Sequence, residues 1–392
     1  MRVMMIAQSN YDYDARIIRL SSILIEKNIL VDLICLRNKD QKKYEIKDGV
    51  HVYRIMKSFH QDSIITYVFF SLLFLFKAFL KSILISKKNK HDLVHVHNMP
   101  DYLVFAAAYN KIKGIPIILD IHDLTVELFK EKWSINKFNR FKGLLKFFEK
   151  LSCNFADQVI TVTKECVDIL INRGIKKEKI SLIMNTPDEK VFTYDLTRFN
   201  KNGSKNFRFL YHGTIAQRFG LHYFINALPE ILKAIPNAEF HIYGSFTNEY
   251  SDTLRSMIKE LGVGNNIFFM DYIPYSQLNQ MIKDFDMGVV TYEQTEYMNL
   301  AMPTKAGEYA FTGLPFIISD LISVKTVFRN ESVCYINPEN TNAISTEIIK
   351  LYKNPVMRSN MSALAYEDIL KISWNVMSKK YFTLVNKLIL KN

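Results

Sequence analysis

The 392 residues are 48% apolar and 23% charged, values of a globular chain that is too long for one core, so we expect two α/β domains of about 200 residues each. The net charge of +12 is concentrated in residues 1–190, which hold 31 Lys and Arg against 21 Asp and Glu, whereas residues 191–392 hold 20 against 18. Such a basic half predicts an anionic partner. Without a nucleic-acid recognition motif, it favours a lipid surface over nucleic acid.

The cysteines and the N-terminus indicate the compartment. The four cysteines are scattered without metal-ligand spacing, which is typical of a reduced protein of the cytoplasm. Residues 2–7 predict a strand. The N-terminus has neither an apolar core of the length that a signal peptide needs nor a small-residue cleavage site.

Strand and helix patterns alternate through the first half of the chain. Helices are predicted at 15–27 and 164–172, and short apolar strands at 3–7, 31–36, 50–54, 93–97, 117–121, 158–162 and 179–183. Strands that alternate with helices form parallel sheets with crossover helices. We therefore expect a doubly wound domain that meets its ligands near the carboxyl ends of its strands.

Residues 63–76 form an uncharged run rich in Phe, Leu and Ile, which Lys77 and Lys81 interrupt before a basic cluster at 87–90. An isolated transmembrane helix needs about 20 apolar residues. The run therefore predicts a helix that covers the sheet and presents an apolar outer face to a bilayer interface. A wholly buried core helix is the alternative. Residues 130–150 interleave basic and aromatic side chains in a similar amphipathic pattern.

Histidines mark the ends of two predicted strands in this half. His95 and His97 lie in the strand at 93–97, and His122 and Asp123 follow the strand at 117–121. A neutral imidazole offers one donor and one acceptor, which suits a sugar hydroxyl. A satisfied structural role is the alternative for each histidine, and a metal site formed by these four residues is a third interpretation.

The second half begins with a new strand at 207–211, after a turn at 185–187 and a polar linker at 200–206. The loop that follows carries Gly213 and Arg218, whose fork of donors matches phosphate oxygens. Gly244 ends the next strand, where a nucleotide could approach the backbone. Further strands are predicted at 239–243, 267–270, 287–290, 315–318 and 333–335, and a last helix at 374–390.

Residues 303–313 predict a helix that begins at Pro303 and ends at a left-handed cap at Gly313, followed by a buried strand. The free amides and positive dipole end of such a helix can hold a diphosphate, with Lys305 as an additional cation. Glu308 lies further into the helix, where its carboxylate could accept from both hydroxyls of a ribose. An ordinary capped helix that leads into a core strand is the alternative interpretation.

This segment resembles the nucleotide-sugar signature of family-4 retaining glycosyltransferases, which have the GT-B fold of two doubly wound, Rossmann-like domains facing a cleft. The family pattern P-x-K-x-x-E-Y-x-x-x-G-x-P is matched by Pro303, Lys305, Glu308, Tyr309, Gly313 and Pro315. The sequence at 14–16 also matches a family subgroup, although Asp14 could equally be a simple N-cap. The resemblance implies an acceptor-side, membrane-facing domain at 1–190, a nucleotide-sugar domain at 205–370 and a helix at 371–392 that crosses back to the first domain.

The resemblance also implies the site. Catalytic roles fall to His122, Arg218, Lys305 and Glu308, with His122 bonded to the donor sugar near the transferred carbon. The residues expected to contact the donor are Gly213, Arg218, Gly244, Ile273, Asn299, Pro303, Thr304, Lys305 and Glu308. The resemblance further implies catalysis without a metal or a cofactor. The expected donor is a UDP-sugar or a GDP-sugar.

Two positions depart from the family pattern. Leu300 replaces the first Glu that many members carry, and the neighbouring Asn299 could either donate to a sugar hydroxyl or cap a loop. Thr214 replaces an early Arg, and Arg218 precedes the usual basic position by one residue.

The expected function is the transfer of a hexose or related sugar to a lipid-linked saccharide acceptor. The product would serve the assembly of a bacterial capsule, O-antigen or exopolysaccharide. The protein would be cytoplasmic and peripheral at the inner face of the cell membrane. A non-catalytic partner subunit with the same fold is the alternative that the two departures motivate. A nucleotide-sugar epimerase is a further one.

Overall fold

The computed structural model describes residues 1–59, 63–132, 135–195, 197–200, 206–245 and 248–390. The chain divides into two compact units: unit 1 comprises Met1–Met184 and Met377–Asn392, and unit 2 comprises Asn185–Val376. Most of the linker predicted at 200–206 lies outside the described residues, as does Trp133 in the basic segment.

Unit 1 is built on an eight-stranded sheet with the strand order β3-β4-β2-β1-β5-β6-β7-β8. The central strands are buried along almost their whole length, as expected for parallel strands with both faces covered, and most of their residues are apolar. The strands are β1 (Arg2–Ala7), β2 (Leu30–Arg37), β3 (Tyr44–Lys47), β4 (Val50–Lys57), β5 (Leu93–His97), β6 (Ile117–Ile121), β7 (Gln158–Thr161) and β8 (Ile180–Leu182).

Strand β3 is the one antiparallel member of this sheet among the described strands, and the sequence analysis missed it. It pairs with β4 through a two-residue turn in which Asp48 and Gly49 have φ values of 50° and 80°. Asp-Gly with two positive φ values is typical of the tight hairpin turn. The missed signal was therefore this dipeptide rather than the polar strand beside it.

The helices of this part of the chain are α1 (Ala15–Glu26), α2 (Ile64–Lys88), α3 (Ala108–Ile112), α4 (Thr125–Lys132), α5 (Ile135–Phe155) and α6 (Lys164–Asn172). Ser63 caps α2 by accepting from the Thr66 amide at 3.1 Å, and Thr163 caps α6 in the same way. A 3₁₀ segment, Asp101–Ala107, follows β5 and contacts both α2 and α5.

Helix α2 has one buried side and one exposed apolar side. Ser71, Phe74, Ala78 and Ser82 are fully buried, and the Ser82 hydroxyl donates to the Ala106 carbonyl at 2.8 Å. The opposite side exposes Ile65, Val68, Phe69, Leu72, Phe76, Leu80 and Leu84. The alternative of a wholly buried core helix is therefore wrong. Within the described part of the chain, Ile65–Lys88 is also the segment long and apolar enough to cross a membrane, and 28% of its apolar window is buried.

Unit 2 is built on a six-stranded parallel sheet with the order β11-β10-β9-β12-β13-β14. Alternation along β9 directs Phe209 into one core and Leu210 into the other, so both faces of the sheet are covered. The strands are β9 (Phe207–His212), β10 (Ala238–Tyr243), β11 (Ile267–Met270), β12 (Met287–Val290), β13 (Phe316–Ser319) and β14 (Cys334–Ile336).

Helices follow the strands of unit 2 in alternation, which confirms the prediction of a doubly wound α/β arrangement. They are α7 (Leu221–Ala234), α8 (Asn248–Glu260), α9 (Tyr275–Ile282), α10 (Thr304–Thr312), α11 (Ile322–Lys325), α12 (Thr341–Lys353) and α13 (Pro355–Leu370). The last helix, α14 (Trp374–Leu390), contributes the fully buried Tyr381 to unit 1.

Candidate functional site

The carboxyl ends of β9 and β10 approach each other closely in unit 2. The Gly213 amide donates to the Tyr243 carbonyl at 2.9 Å. Gly244 has a φ of 154°, and a Cβ added there would lie 1.9 Å from the Gly213 carbonyl oxygen. Only glycine fits such an approach. The two strand ends therefore present bare backbone at the edge where a doubly wound sheet binds its ligands.

Helix α10 lies beside these strand ends with its N-terminus uncapped by a side chain. Pro303 is the N-cap, with φ −62° and ψ 117°, so the prediction that it occupies the first helical position is wrong by one residue. The ψ of Pro303 is extended, so the helical conformation begins at Thr304. The left-handed cap at Gly313 is confirmed by its φ of 72° and by a 2.9 Å bond from the Leu314 amide to the Tyr309 carbonyl.

Glu308 faces His212, the last residue of β9. Glu308 Oε2 lies 3.1 Å from His212 Nε2, and each side chain is 8% exposed. The approach has the distance of an ion pair without the alignment of a hydrogen bond, and both atoms lack a hydrogen-bond partner among the described residues. Buried polar atoms without partners are costly. A ligand hydroxyl that donates to the carboxylate and accepts from the imidazole would satisfy both.

Lys305 is a buried cation that lies among aromatic rings. Its Nζ is 3.6 Å from the ring centroid of Tyr211, 5.4 Å from that of Tyr292 and 5.7 Å from that of Phe219. Burial lowers the pKa of Lys305 to about 7, and the Glu308 charge opposes this shift. No described carboxylate pairs with Nζ within 4.0 Å. The ring faces hold the ammonium group next to the backbone at Gly213, ready for an anion.

Arg218 supplies a second cation. It lies in a 3₁₀ turn, Gln217–Phe219, and its guanidinium carbon is 4.8 Å from the Phe219 ring centroid. The turn is held because the Glu293 amide donates to the Arg218 carbonyl at 3.0 Å. Arg218 and Lys305 thus both contact Phe219, which gives this edge of the sheet a positive character suited to a diphosphate.

His122 lies in unit 1, after β6. Its amide donates to Asn98 Oδ1 at 3.1 Å, while its Nδ1 is buried without a hydrogen-bond partner among the described residues. It lines a pocket of about 250 Å³ at the carboxyl ends of β1, β5 and β6, together with Gln8, Ser9, Asp14, Asn98 and Asp123. Most of these side chains offer hydrogen bonds, which suits a sugar. Asp14 also caps α1, accepting from the Ile17 amide at 3.1 Å.

His95 and His97 belong to a buried charge network. Arg16 donates to both carboxylate oxygens of Asp120, at 2.7 and 2.9 Å, and His97 Nδ1 lies 3.1 Å from the same carboxylate. Burial raises the pKa of Asp120, but Arg16 and the two histidines lower it more, to well below its usual value.

The geometry of this network favours a structural role for both histidines. Burial lowers the pKa of His95 to about 3, and its neutral ring bonds the Tyr381 hydroxyl at 2.9 Å. The side-chain nitrogen and oxygen atoms of His95, His97 and Asp120 lie within 4.8 Å of one another, close enough to hold a metal ion. The metal site considered from the sequence was a different group, because it contained His122 and Asp123 in place of Asp120. Arg16 occupies both oxygens of its carboxylate.

Sequence models of two successive families match this chain. Glycosyltransferase Family 4 matches residues 15–190, and Glycosyl transferases group 1 matches residues 195–368. This chain is a family-4 glycosyltransferase. A comparison with curated protein sequences found no match.

Solved glycosyltransferase structures share the fold over the whole chain. Sucrose-phosphate synthase from Thermosynechococcus elongatus has a TM-score of 0.78 at 15% identity, covering 100% of both chains. HepE from Anabaena in complex with UDP-glucose has a TM-score of 0.72 at 14% identity, covering 99% of this chain and 100% of its own. The lipopolysaccharide outer core galactosyltransferase WaaB has a TM-score of 0.65 at 15% identity, covering 98% and 99%. These likenesses show the fold, two Rossmann-like domains of the GT-B class.

The glycosyltransferase brings most of its predicted donor residues together in unit 2. Gly213 and Gly244 touch through their backbones, Lys305 lies beside Gly213, and Arg218 joins through Phe219. Thr304 and Glu308 share helix α10 with Lys305, and Pro303 is the N-cap of that helix.

Asn299 and Ile273 have other surroundings in the glycosyltransferase. The side-chain Nδ2 of Asn299 donates to the Thr295 carbonyl at 3.0 Å, and its Oδ1 accepts from the Ile322 amide at 3.2 Å. These are the bonds of a loop cap, the alternative to a contact with the sugar. Ile273 lies half-buried in the loop after β11, packed against the core. Their donor contacts stay predictions.

Sequence reasoning missed His212 and the aromatic residues around Lys305. His212 had a readable signal, because it ends the first strand of unit 2, where such domains present polar groups. Tyr211, Phe219 and Tyr292 had none, since aromatic residues beside a strand are usually core. These three rings lie around the Lys305 ammonium group only because α10 places that side chain between them.

Proposed function

We propose that this glycosyltransferase retains anomeric configuration and moves a hexose or related sugar from a nucleotide-diphospho-sugar to a lipid-linked saccharide in bacterial surface polysaccharide assembly. The observation that carries the proposal is the cluster of Lys305, Arg218, Glu308 and His212 around bare backbone at the carboxyl end of β9. Two cations and a buried pair of hydroxyl partners match the two halves of a nucleoside diphosphate.

The donor nucleotide would bind through unit 2. Lys305, Arg218 and the N-terminus of α10 would hold the diphosphate. Glu308 Oε2 and His212 Nε2 would form hydrogen bonds with the ribose hydroxyls, since neither atom has a hydrogen-bond partner among the described residues. The complexes of HepE with UDP and with UDP-glucose support a UDP-sugar as the donor, with a GDP-sugar as the alternative.

Catalysis would be electrostatic. As the bond between the anomeric carbon and the diphosphate oxygen breaks, charge builds on that oxygen, and the preorganised cations stabilise it. The acceptor hydroxyl would attack from the same face and pass its proton to the departing phosphate oxygen, which retains configuration without a carboxylate nucleophile. His122, in unit 1, would contribute its unpartnered Nδ1 to a sugar hydroxyl.

The acceptor assignment follows from the surface of unit 1. The exposed apolar side of α2 and the excess of ten positive charges in residues 1–190 suit a peripheral protein at the cytoplasmic face of a membrane, where lipid-linked saccharides are extended. The structural similarity to WaaB, a lipopolysaccharide outer core galactosyltransferase, agrees with such an acceptor.

A binding panel tests the donor assignment. Purified protein is titrated with UDP, GDP, ADP, TDP and CMP by calorimetry and thermal shift, since a ligand of the folded state raises the melting temperature. We expect one nucleoside diphosphate to bind selectively and Glu308→Ala to weaken it about 10-fold or more, as expected for loss of a charged hydrogen bond. Glu339→Ala, an exposed glutamate of the same unit, is the matched control. Binding that survives Glu308→Ala would refute the ribose assignment.

The alternative of a non-catalytic partner subunit is motivated by Leu300 and Thr214. It predicts that no nucleoside diphosphate binds and that cellular polysaccharide synthesis survives Glu308→Ala unchanged. The presence of Lys305 and Arg218 together, each without a carboxylate partner within 4.0 Å in the described chain, favours the enzyme.

A further inference from the structure

A basic pocket lies in unit 1 between α2 and the hairpin formed by β3 and β4. Its volume is about 700 Å³, within the range of small-molecule sites. Strand β4 and helix α2 contribute nine of the twelve lining residues, so the pocket is built by long-range packing rather than by one loop. The lining residues are Arg37, Lys43, Tyr44, Tyr53, Arg54, Ile55, Met56, Lys57, Lys77, Leu80, Lys81 and Leu84.

Six of these twelve side chains are cations, and just one of the six has acidic partners among the described residues. Arg54 is buried and pairs with Glu45 at 2.7 Å and with Asp12 at 3.5 Å. The other five have no ion pair within 4.0 Å to a described carboxylate: Arg37, Lys43, Lys57, Lys77 and Lys81. The pocket therefore carries a large uncompensated positive charge.

Lys81 lies deepest in this pocket among the lysines of α2. It is half-buried, and its Nζ lies 4.5 Å from the ring centroid of Tyr53. Burial lowers the pKa of Lys81, and the charge of Lys88 lowers it further. An ammonium group beside an aromatic face and other cations gains free energy when an anion joins it.

The pocket is continuous with the exposed apolar stripe of α2. Leu80 and Leu84 belong to both, because each lines the pocket and is also exposed, by 43% and 57%. At about 100° per residue, Lys77 and Lys81 share one row that lies between this stripe and the buried side of the helix. An amphiphile with an anionic head and apolar chains matches this arrangement: its head would enter the pocket while its chains lie along the stripe.

We propose that this pocket is a binding site for the phosphate headgroup of an anionic phospholipid, which orients unit 1 on the membrane through α2. The inference rests on the proposed membrane association and adds a defined headgroup site to it. It is separate from the donor cluster, which lies in unit 2. Charge complementarity and continuity with the apolar stripe favour a lipid over a soluble phosphate compound or a second copy of the chain.

Vesicle binding of the full-length protein tests the proposal. Flotation is measured with phosphatidylcholine vesicles that contain either no anionic lipid or about 30% phosphatidylglycerol, at a fixed low salt concentration. We expect Lys77→Gln with Lys81→Gln to weaken binding to the anionic vesicles at least about 10-fold more than the control. The control, Lys87→Gln with Lys90→Gln, removes the same charge at the C-terminal end of α2, outside the pocket.

The outcomes separate the pocket from the wider function. Equal losses in the two double variants would overturn the pocket and leave diffuse attraction to the membrane. Absence of binding by the unaltered protein would overturn both the pocket and the membrane part of the proposed function, but not donor binding, which the nucleotide panel measures. Competition by glycerol phosphate without vesicles would reassign the pocket to a soluble phosphate compound. Dimerisation blocked by the pocket variant would reassign it to a second copy.

Two further measurements keep the test independent of folding defects. Lys77→Arg with Lys81→Arg should restore binding, since it keeps the charge, and nucleotide binding should stay unchanged in every variant. In the unaltered protein, acetylation of Lys77 and Lys81 should be protected by anionic vesicles and not by neutral ones. Equal protection of Lys87 and Lys90 would contradict a defined site.

Discussion

At the scale of single residues, the site contains buried polar groups whose charge or hydrogen-bonding capacity is not satisfied without a ligand. Lys305 is buried among three rings with its pKa lowered to about 7, mainly by burial. Glu308 and His212 face each other 3.1 Å apart without an aligned hydrogen bond. A diphosphate and a pair of hydroxyls would relieve both conditions, so the free site is destabilised where the donor is expected to bind.

Proton uptake tests the role of Lys305. Because its pKa in the folded protein is about 7 and ordinarily about 10.5, the unfolded state binds more protons between these values, and folding stability rises with pH across that interval. A bound diphosphate favours the charged amine, so UDP binding at pH 8 should take up about 0.9 proton on this residue. Calorimetry in buffers of different ionisation enthalpy measures this number.

The control for that experiment is Lys259→Met, an exposed lysine of the same unit, which should behave as the unaltered protein. Lys305→Met should abolish the uptake. At pH 8 the phosphates of UDP are already ionised, so they do not contribute. Unchanged uptake in Lys305→Met would show that another group, not this amine, gains the proton.

At the scale of elements, glycines set how closely the loops approach. Gly220 ends the Arg218 turn with a φ of 63° and precedes α7, and Thr291 Oγ1 donates to its carbonyl at 2.8 Å. A Cβ at Gly220 would lie 1.7 Å from the Thr291 carbonyl oxygen. The turn that carries Arg218 is therefore pressed directly onto the end of β12.

Substitution of Gly220 should destabilise unit 2 and displace Arg218. Gly262 has a φ of 66° but nothing within 4 Å of an added Cβ, so Gly262→Ala isolates the backbone strain, about 1 kcal/mol. Gly220→Ala adds a backbone clash and should cost about 3 kcal/mol or more. Urea unfolding measures both variants, and calorimetry with UDP should show weaker binding in Gly220→Ala alone. Equal costs would mean that the loop yields without strain.

At the scale of the whole molecule, the two units differ in surface and in chemistry. Residues 1–190 carry a net charge of +10 and the exposed apolar helix α2, whereas residues 191–392 carry +2 and the cluster of Lys305, Arg218 and Glu308. Each unit has its own core and its own sheet, which is parallel apart from β3 in unit 1. This division suits a transferase that takes a soluble donor in one domain and a membrane-bound acceptor in the other.

Hydrogen exchange with and without UDP tests this division of labour. Protection should be greatest in unit 2, in peptides that cover the turn at 213–221 and the first turns of α10, because those amides would contact the nucleotide. Peptides of β3, β4 and α2 in unit 1 should change little. Glu308→Ala should lose the pattern at the same UDP concentration. Comparable protection in those unit 1 peptides would contradict donor binding through unit 2.

Sequence periodicity was sufficient for most of the fold. All parallel strands were predicted close to their observed bounds, because each is a short apolar or alternating run between turn residues. Helix α10 was predicted from its cap residues, with an error of one residue at Pro303. The polar strand β3 was missed because it lies at an edge, where pairing with β4 rather than burial holds it.

The two α/β domains, the order of their strands along the chain and the family could all be predicted from the sequence, because they depend on local patterns and motifs a few residues long. Three features became visible in the folded chain: His212 contacts Glu308 across 96 residues, Tyr211 and Tyr292 lie around Lys305, and a basic pocket lies beside the exposed side of α2. The physical reason is that each of these contacts joins distant segments, and packing of the sheets and helices, not propensity, sets which side chains meet.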